Sequence, residues 1–265
     1  MIAYYMYWFA CVNDNSPFHR DMYIVALKSS IKNTKLKPII IYDGNNEQFQ
    51  KEVADLGGKV INHVLSFSNK PGFTNRTQQW QNTARGAYLR TDIPLICKQH
   101  NITDNYVLYT DTDVIFLKDV EPELSALTPR YFAVCPEFKK TEWSYFNSGV
   151  MLINLKNMSE IYDEFLGYME QKGYLFKLSK NYDQAALNEF FEKTYERLPL
   201  KFNHKPYWGI DENSSIIHYH GPKYVHISKL LSNQLTHQSY NTIFTWVDNS
   251  VWVYYKNLYE EYMKL

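Results

Sequence analysis

An excess of charge of either sign is missing from this chain: 28 Lys and Arg stand against 28 Asp and Glu over 265 residues, a formal net charge of zero. Without a long-range basic field the chain does not read as a general nucleic-acid or anionic-membrane binder, although a local basic pocket remains compatible with the balance. Cysteine is scarce as well. Cys11, Cys97 and Cys135 make an odd number, and no two fall at C-x-x-C spacing. That excludes a disulfide framework and a cysteine zinc site, and it fits buried free thiols in a reducing, cytoplasmic compartment. The Asn-x-Ser/Thr sequons at Asn75, Asn101, Asn157 and Asn213 then read as chance. No apolar run is long enough to cross a bilayer. The opening stretch MIAYYMYWFACV lacks a basic flank and a small-residue cleavage site, so it reads as a buried first strand and not as a signal. Internal repeats and linker-like segments are also missing, and a single domain over residues 1–265 is expected.

Aromatic residues, in contrast, are abundant at 17%, with 23 Tyr and 15 Phe. They are compatible both with a large core and with stacking platforms for a base or a sugar ring. Patterning is more decisive. Residues 2–12 are aromatic and β-branched and end in the turn cluster NDNSP. HRDMYIVALKSSIKNT has a helical period with Met22, Val25, Ala26 and Ile31 on one side. KPIIIYDG, NEQFQKEVADLGG and KVINHVL continue as strand, helix and strand. This alternation predicts an α/β fold with a mostly parallel central sheet flanked by helices. Residues 67–80 read as a loop, 81–100 as a helix interrupted near Pro94, and NYVLYTD as the next strand. RYFAVCPEF and SGVMLINL read as strands, NMSEIYDEFLGYMEQKG and NYDQAALNEFF as helices, and ERLPLKFN and SSIIHYHGPK as short apolar runs. The C-terminal VDNSVWVYYKNLYEEYMKL reads as an amphipathic helix packed back on the body.

The stretch YVLYTDTDVIFLKD places Asp111 and Asp113 at a strand end with apolar residues on both sides. Ligands of parallel sheets bind outside the carboxyl ends of the strands. Two acids one residue apart point the same way if the backbone stays extended, and they repel unless a cation sits between them. A bare D-x-D is also what a turn at a strand exit looks like. His218 adds a candidate third ligand, because it ends the apolar run of IIHYHGPK. Two carboxylates and an imidazole suit Mn2+, and Mg2+ less well. Lys223 and Arg90 are then natural partners for a diphosphate, whose departure a metal and cationic side chains would ease. Asp183, in the first turn of its helix, is favourable there for the helix dipole alone.

These blocks resemble the GT-A nucleotide-sugar glycosyltransferases, in particular the family-8 group of glycogenin and the bacterial lipopolysaccharide galactosyltransferases. AYLRTDIP (87–94), VLYTDTDVIFLKD, FNSGVMLINL (146–155), YDQAALNEFF (182–191), LPLKFN (198–203) and IIHYHGPK (216–223) are similar to that group's blocks in order. The resemblance spans about residues 84–225. It implies a nucleotide-binding half (1–113) and a donor-sugar and acceptor half (114–265). It implies Asp111, Asp113 and His218 as metal ligands, with Asp111 also facing the donor. Lys223 would contact the diphosphate, Arg90 the donor sugar or diphosphate, Asn147 and Ser148 would line the sugar pocket, and residues from Ala10 to Val12 would touch the base. Asp183 and Gln184 would lie by the anomeric carbon. The implied activity is transfer from a nucleoside diphosphate sugar, a UDP-sugar, to a glycan, a lipid-linked saccharide or another hydroxyl acceptor, with retention. An inverting reaction would instead need a base such as Glu137, Glu142 or Asp183. Trp143, Tyr207 and Trp208 are candidate sugar platforms. Two other readings of D-x-D are a haloacid-dehalogenase-type phosphotransferase, which places the pair on its first strand, and a non-catalytic sugar- or nucleotide-binding protein.

Overall fold

The computed structural model describes residues 6–15, 17–176 and 182–265. The first half alternates as its pattern predicts: β1 (Tyr7–Asn13), α1 (Pro17–Asn33), β2 (Lys37–Asp43), α2 (Glu47–Asp55) and β3 (Lys59–Asn62). The expected first strand is seen from Tyr7; Met6 precedes it outside the strand, and residues 2–5 lie outside the described ones. α2 starts where Asn46 accepts the Phe49 amide, an N-cap that satisfies one free donor of the first turn. The stretch read as a loop is partly helical, with α3 (Pro71–Thr74) and the start of α4 (Gln78–Tyr88). Thr77 caps α4 by accepting the Trp80 amide, a side-chain bond that turns a polar loop into a helix start. The predicted interruption is a 3-10 turn at Leu89–Asp92, after which Pro94 opens α5 (Ile93–Gln99).

The chain continues through β4 (Tyr106–Thr110), β5 (Val114–Phe116), α6 (Glu121–Leu124), β6 (Phe132–Pro136), β7 (Phe146–Asn154), α7 (Leu155–Glu160), α8 (Tyr162–Gln171) and α9 (Tyr182–Phe191). β8 (Glu196–Arg197) and β9 (Ile216–His218) are the last strands, followed by α10 (Tyr224–Leu231), α11 (Gln238–Phe244) and α12 (Asn249–Met263). The central sheet has seven strands in the order β3-β2-β1-β4-β7-β6-β8. β7 alone runs against its neighbours β4 and β6, and the other pairings are parallel. ERLPLKFN contributes only the two-residue β8 before a 3-10 turn at Leu200–Asn203. β5 and β9 form a separate antiparallel ribbon in which Val114 faces His218.

Alternation along β1 divides its side chains between the two faces of the sheet. Phe9 joins one core cluster, with Ile39, Ile41, Tyr109 and Met151. Trp8, Ala10 and Val12 join the other, with Tyr23, Ile40, Leu108 and Leu152. On α1, Met22, Val25 and Ala26 are buried as expected, but Ile31 is 49% exposed. Five residues beyond Ala26, Ile31 has rotated to the opposite face, and Ser29 and Ser30 are buried in its stead. Trp252, Tyr255, Tyr259 and Tyr262 form the buried face of α12 and join Ile115, Ile217 and Tyr219 in a third cluster that backs the β5–β9 ribbon. Much of the aromatic content is therefore core. Among the described residues no helix is long and apolar enough to cross a membrane.

The 3-10 turn is anchored by Asp92, which is fully buried. Its carboxylate accepts Ser66 N at 2.7 Å, Ser66 Oγ at 2.9 Å and Tyr162 Oη at 2.7 Å, and it lies 2.7 Å from His63 Nε2. Removing it would take the shared acceptor from these groups, which are themselves partly exposed. Asp92→Ala is expected to cost roughly 1–3 kcal/mol, read as a lower urea midpoint with an unchanged slope.

Candidate active site

β4 ends at Thr110, and the next residues project from the carboxyl edge of the sheet into a cleft of about 750 Å3. Its wall includes Cys11, Asn13, Gly86, Arg90, Tyr109, Asp111, Asp113 and Lys223. Asp111 is held from both directions. Its amide donates to Gly149 O across the β4–β7 pairing at 2.7 Å. Its Oδ1 accepts from Arg90 Nη2 at 2.7 Å and from Tyr109 Oη at 2.8 Å. The Arg90 guanidinium also lies 4.5 Å above the Tyr109 ring, so one residue is fixed by a charge pair and a cation–π contact together.

Asp113 is buried and leads directly into the β5–β9 ribbon. Its carbonyl accepts Tyr219 N at 2.8 Å. The ribbon register brings His218 alongside, with Nε2 at 3.4 Å from Asp113 Oδ1 and 3.7 Å from Asp111 Oδ2. Lys223, the residue before α10, pairs with the other Asp113 oxygen and donates to Tyr219 O at 3.0 Å. Burial pushes the Asp113 carboxyl up, but Lys223 overrides it and holds the group well below the usual carboxylate range. Burial lowers the His218 imidazole more than the two acids raise it. His218 is therefore a neutral base facing two carboxylates.

One ligand atom from each of Asp111, Asp113 and His218 lies within 4.8 Å of the others. The donor set of two carboxylate oxygens and an imidazole nitrogen fits a divalent cation of the manganese or magnesium type. Gly149 leaves the room this needs. A Cβ there would strike the His218 ring and lie 2.8 Å from Asp111 Oδ2 and 2.9 Å from His218 Nε2.

Asp183 and Gln184 open α9, which is tied to β7 by Asn188. Its side chain accepts Phe146 N and donates to Phe146 O, both at 2.9 Å, as a strand partner would. Asp183 is buried and off the cleft wall, and it reaches that wall through Arg90, whose Nε lies 3.0 Å from Asp183 Oδ2. Ser148 Oγ donates to the same oxygen at 3.2 Å. Burial raises the Asp183 carboxyl to about 6, Arg90 and Ser148 opposing it only in part. Gln184 Oε1 accepts Ser148 N at 2.9 Å. Asn147 and Ser148 are buried too. The Asn147 amide is spent on Glu137, Gln184 and Gly149 and does not line the cleft.

Other expectations need correction. Ala10 and Val12 turn their side chains into the core, whereas the strand's two-residue period turns Cys11 and Asn13 toward the cleft. Tyr207 is buried and donates to Glu137 O at 2.9 Å, which removes it as an open platform. Trp143 and Trp208 stay partly exposed. Of the acids considered for an inverting reaction, Glu137 is buried, 3.1 Å from His220 Nε2, and held down at about 2 because His220 and Asn147 outweigh burial. Glu142 is exposed and 3.4 Å from Lys139. Tyr109 and Asn203 were not singled out in the sequence, yet Tyr109 touches Asp111 and Asn203 touches His218 at 2.9 Å. Tyr109 lies two residues before Asp111 and so on its face of the strand, a signal the sequence did contain.

The sheet order, with the acid pair at its carboxyl edge, is that of the GT-A fold. Residues 20–223 match the model of Glycosyl transferase family 8, and the chain belongs to that family of enzymes. This overturns the phosphotransferase and non-catalytic readings. Among solved structures the chain is similar to galactosyltransferase LgtC in complex with donor and acceptor sugar analogs, at 20% identity and a TM-score of 0.63 over 90% of this chain and 95% of that one. It is also similar to glycosyltransferase GlyE of Streptococcus pneumoniae TIGR4, at 18% identity and a TM-score of 0.62, covering 95% of this chain but only 62% of GlyE. Mouse xyloside xylosyltransferase 1 follows at 15% identity and a TM-score of 0.57, over 82% of this chain and 98% of that one. At these identities the likeness is one of fold. No curated protein sequence matches the chain.

The close approach at Gly149 is directly testable. Gly149→Ala forces His218 or Asp111 aside, and overpacking of this kind costs about 1–3 kcal/mol. The expected outcome is a lower melting temperature together with loss of Mn2+ uptake in calorimetry, while a variant that binds Mn2+ normally would show that the ligand cluster tolerates displacement.

Proposed function

We propose that the protein transfers a hexosyl group from a UDP-sugar to a hydroxyl of a glycan or lipid-linked saccharide, with retention, in a Mn2+- or Mg2+-dependent reaction. The observation that carries this reading is the Asp111–Asp113–His218 cluster, whose two acids line a cleft that also presents Arg90 and Lys223. When bound, a divalent cation would neutralise charge on the departing diphosphate. The chain's own residues do the rest. Lys223 Nζ offers a second positive charge on the same side, and Asp113 and Tyr219 O keep it pre-oriented. Arg90 orients Asp111 with one nitrogen and Asp183 with another. Asp183, set behind Arg90, would stabilise positive charge at the anomeric carbon by its field from that depth, and Gln184 fixes the Ser148 backbone beside it. Family membership supports retention, as does the burial of Glu137, one of the acids that an inverting route would use.

A thermal-shift screen of UDP- and GDP-sugars with and without Mn2+ tests the class and the base together. A UDP-sugar is expected to raise the melting temperature only with metal, and Asp113→Asn to abolish that shift. A shift of equal size in EDTA would sink the metal assignment.

The Asp183 carboxyl makes a pH prediction. With its pKa raised to about 6, it is neutral below that value and charged above it. If the charged form stabilises the transition state, kcat falls as pH drops through about 6 and levels off above. Asp183→Asn should flatten that limb and lower kcat about 10²–10³-fold, with donor affinity nearly unchanged. A limb that persists in the variant would assign the titration elsewhere.

A further inference from the structure

His218 can bind a cation only through a nitrogen without a proton, and its neutral ring carries one proton on one of two nitrogens. Which nitrogen holds it is decided three residues away. Glu137, an ionised acceptor, lies 2.8 Å from one end of the Asn147 side chain. Gln184 Oε1, held by the Ser148 amide, lies 3.2 Å from that same end. The other end accepts the Gly149 amide at 3.1 Å. All three contacts give one answer: NH2 toward Glu137 and the carbonyl oxygen toward Gly149. Asn203, fully buried, meets that oxygen at 3.0 Å and must therefore present its own NH2 to it. Its carbonyl oxygen then faces His218 Nδ1 at 2.9 Å. An oxygen can only accept, so the proton sits on Nδ1 and the bare Nε2 points at Asp111 and Asp113.

We propose that Asn203 is a positioning residue that locks His218 in the Nδ1–H tautomer, with Glu137 and Asn147 setting its orientation as a directional amide relay. The inference rests on the metal-site reading above for its purpose but not for its geometry. Outer-shell partners of this kind orient a ligand and tune its basicity, and their loss commonly weakens metal binding about 10–100-fold.

Nitrogen-15 NMR of the metal-free protein, at a mildly alkaline pH where imidazoles are neutral, reads the tautomer directly, the His218 signal being assigned by its loss in His218→Ala. A proton on Nδ1 is expected, and a proton on Nε2 overturns the proposal without any variant of the relay. Asn203→Asp keeps an acceptor for Nδ1–H and should retain both the tautomer and most Mn2+ affinity. Asn203→Leu, of similar volume, removes the acceptor and should release the tautomer and weaken Mn2+ binding about 10–100-fold. An Asn203→Leu protein with wild-type tautomer and affinity would also overturn the proposal. A wild-type protein that holds Nδ1–H yet takes up no Mn2+ would fell the metal assignment and leave the relay standing.

Discussion

Two carboxylates one residue apart at the end of β4 repel each other, and much of the surrounding structure answers that repulsion. Arg90 takes Asp111 and Lys223 takes Asp113, while the neutral His218 imidazole faces both and leaves the remaining repulsion for a cation to relieve. The partners come from distant chain: Arg90 lies 21 positions before Asp111, and Lys223 lies 110 positions after Asp113. The β5–β9 ribbon makes the second meeting geometric, because pairing Val114 with His218 carries Asp113 and Lys223 into reach of one another. Buried ion pairs add little net stability, since desolvation consumes most of the Coulomb gain. A cluster this charged, set at the ligand-binding edge of a sheet, is therefore better explained by what it binds than by what it stabilises.

The features set by chain-local physics were legible in the sequence. Strand–helix alternation predicts the parallel half of the sheet, and the D-x-D flanked by apolar residues predicts a strand end. The tyrosines and tryptophan of the last helix predict a packed C-terminal element, and α12 buries that face. The order of motifs from Arg90 to Lys223 gave the family. What failed locally failed for local reasons. Ile31 was placed on the face of Ala26 although five residues of helix turn it away, and the polar 67–80 stretch hid a Thr77 N-cap that only its bond to the Trp80 amide reveals.

Other features depend on contacts that no spacing encodes. The parity of β1, which sends Ala10 and Val12 to the core and Cys11 and Asn13 to the cleft, follows from which face of the sheet the cleft occupies. The depth of Asp183 behind Arg90 follows from Asn188 clamping α9 to β7. Asn203 sits in a plain LPLKFN segment and gains meaning only when the orientation of Asn147 is known.

Arg90 joins the two ends of the site. It donates to Asp111 in the acid cluster and to Ser148 O at 2.7 Å at the start of β7, and pairs with Asp183 behind both. Its loss would therefore free Asp111 to relax, leave Asp183 buried without a cation, and raise the Asp183 carboxyl further, because the opposing charge that now limits the rise would be gone. Residues sharing one partner in this way do not contribute additively. A lowered turnover in an Arg90 variant consequently does not measure a donor contact. It measures any donor contact together with the change in protonation of Asp183, and the two separate only when Arg90 and Asp183 are substituted singly and together and compared above and below the Asp183 pKa.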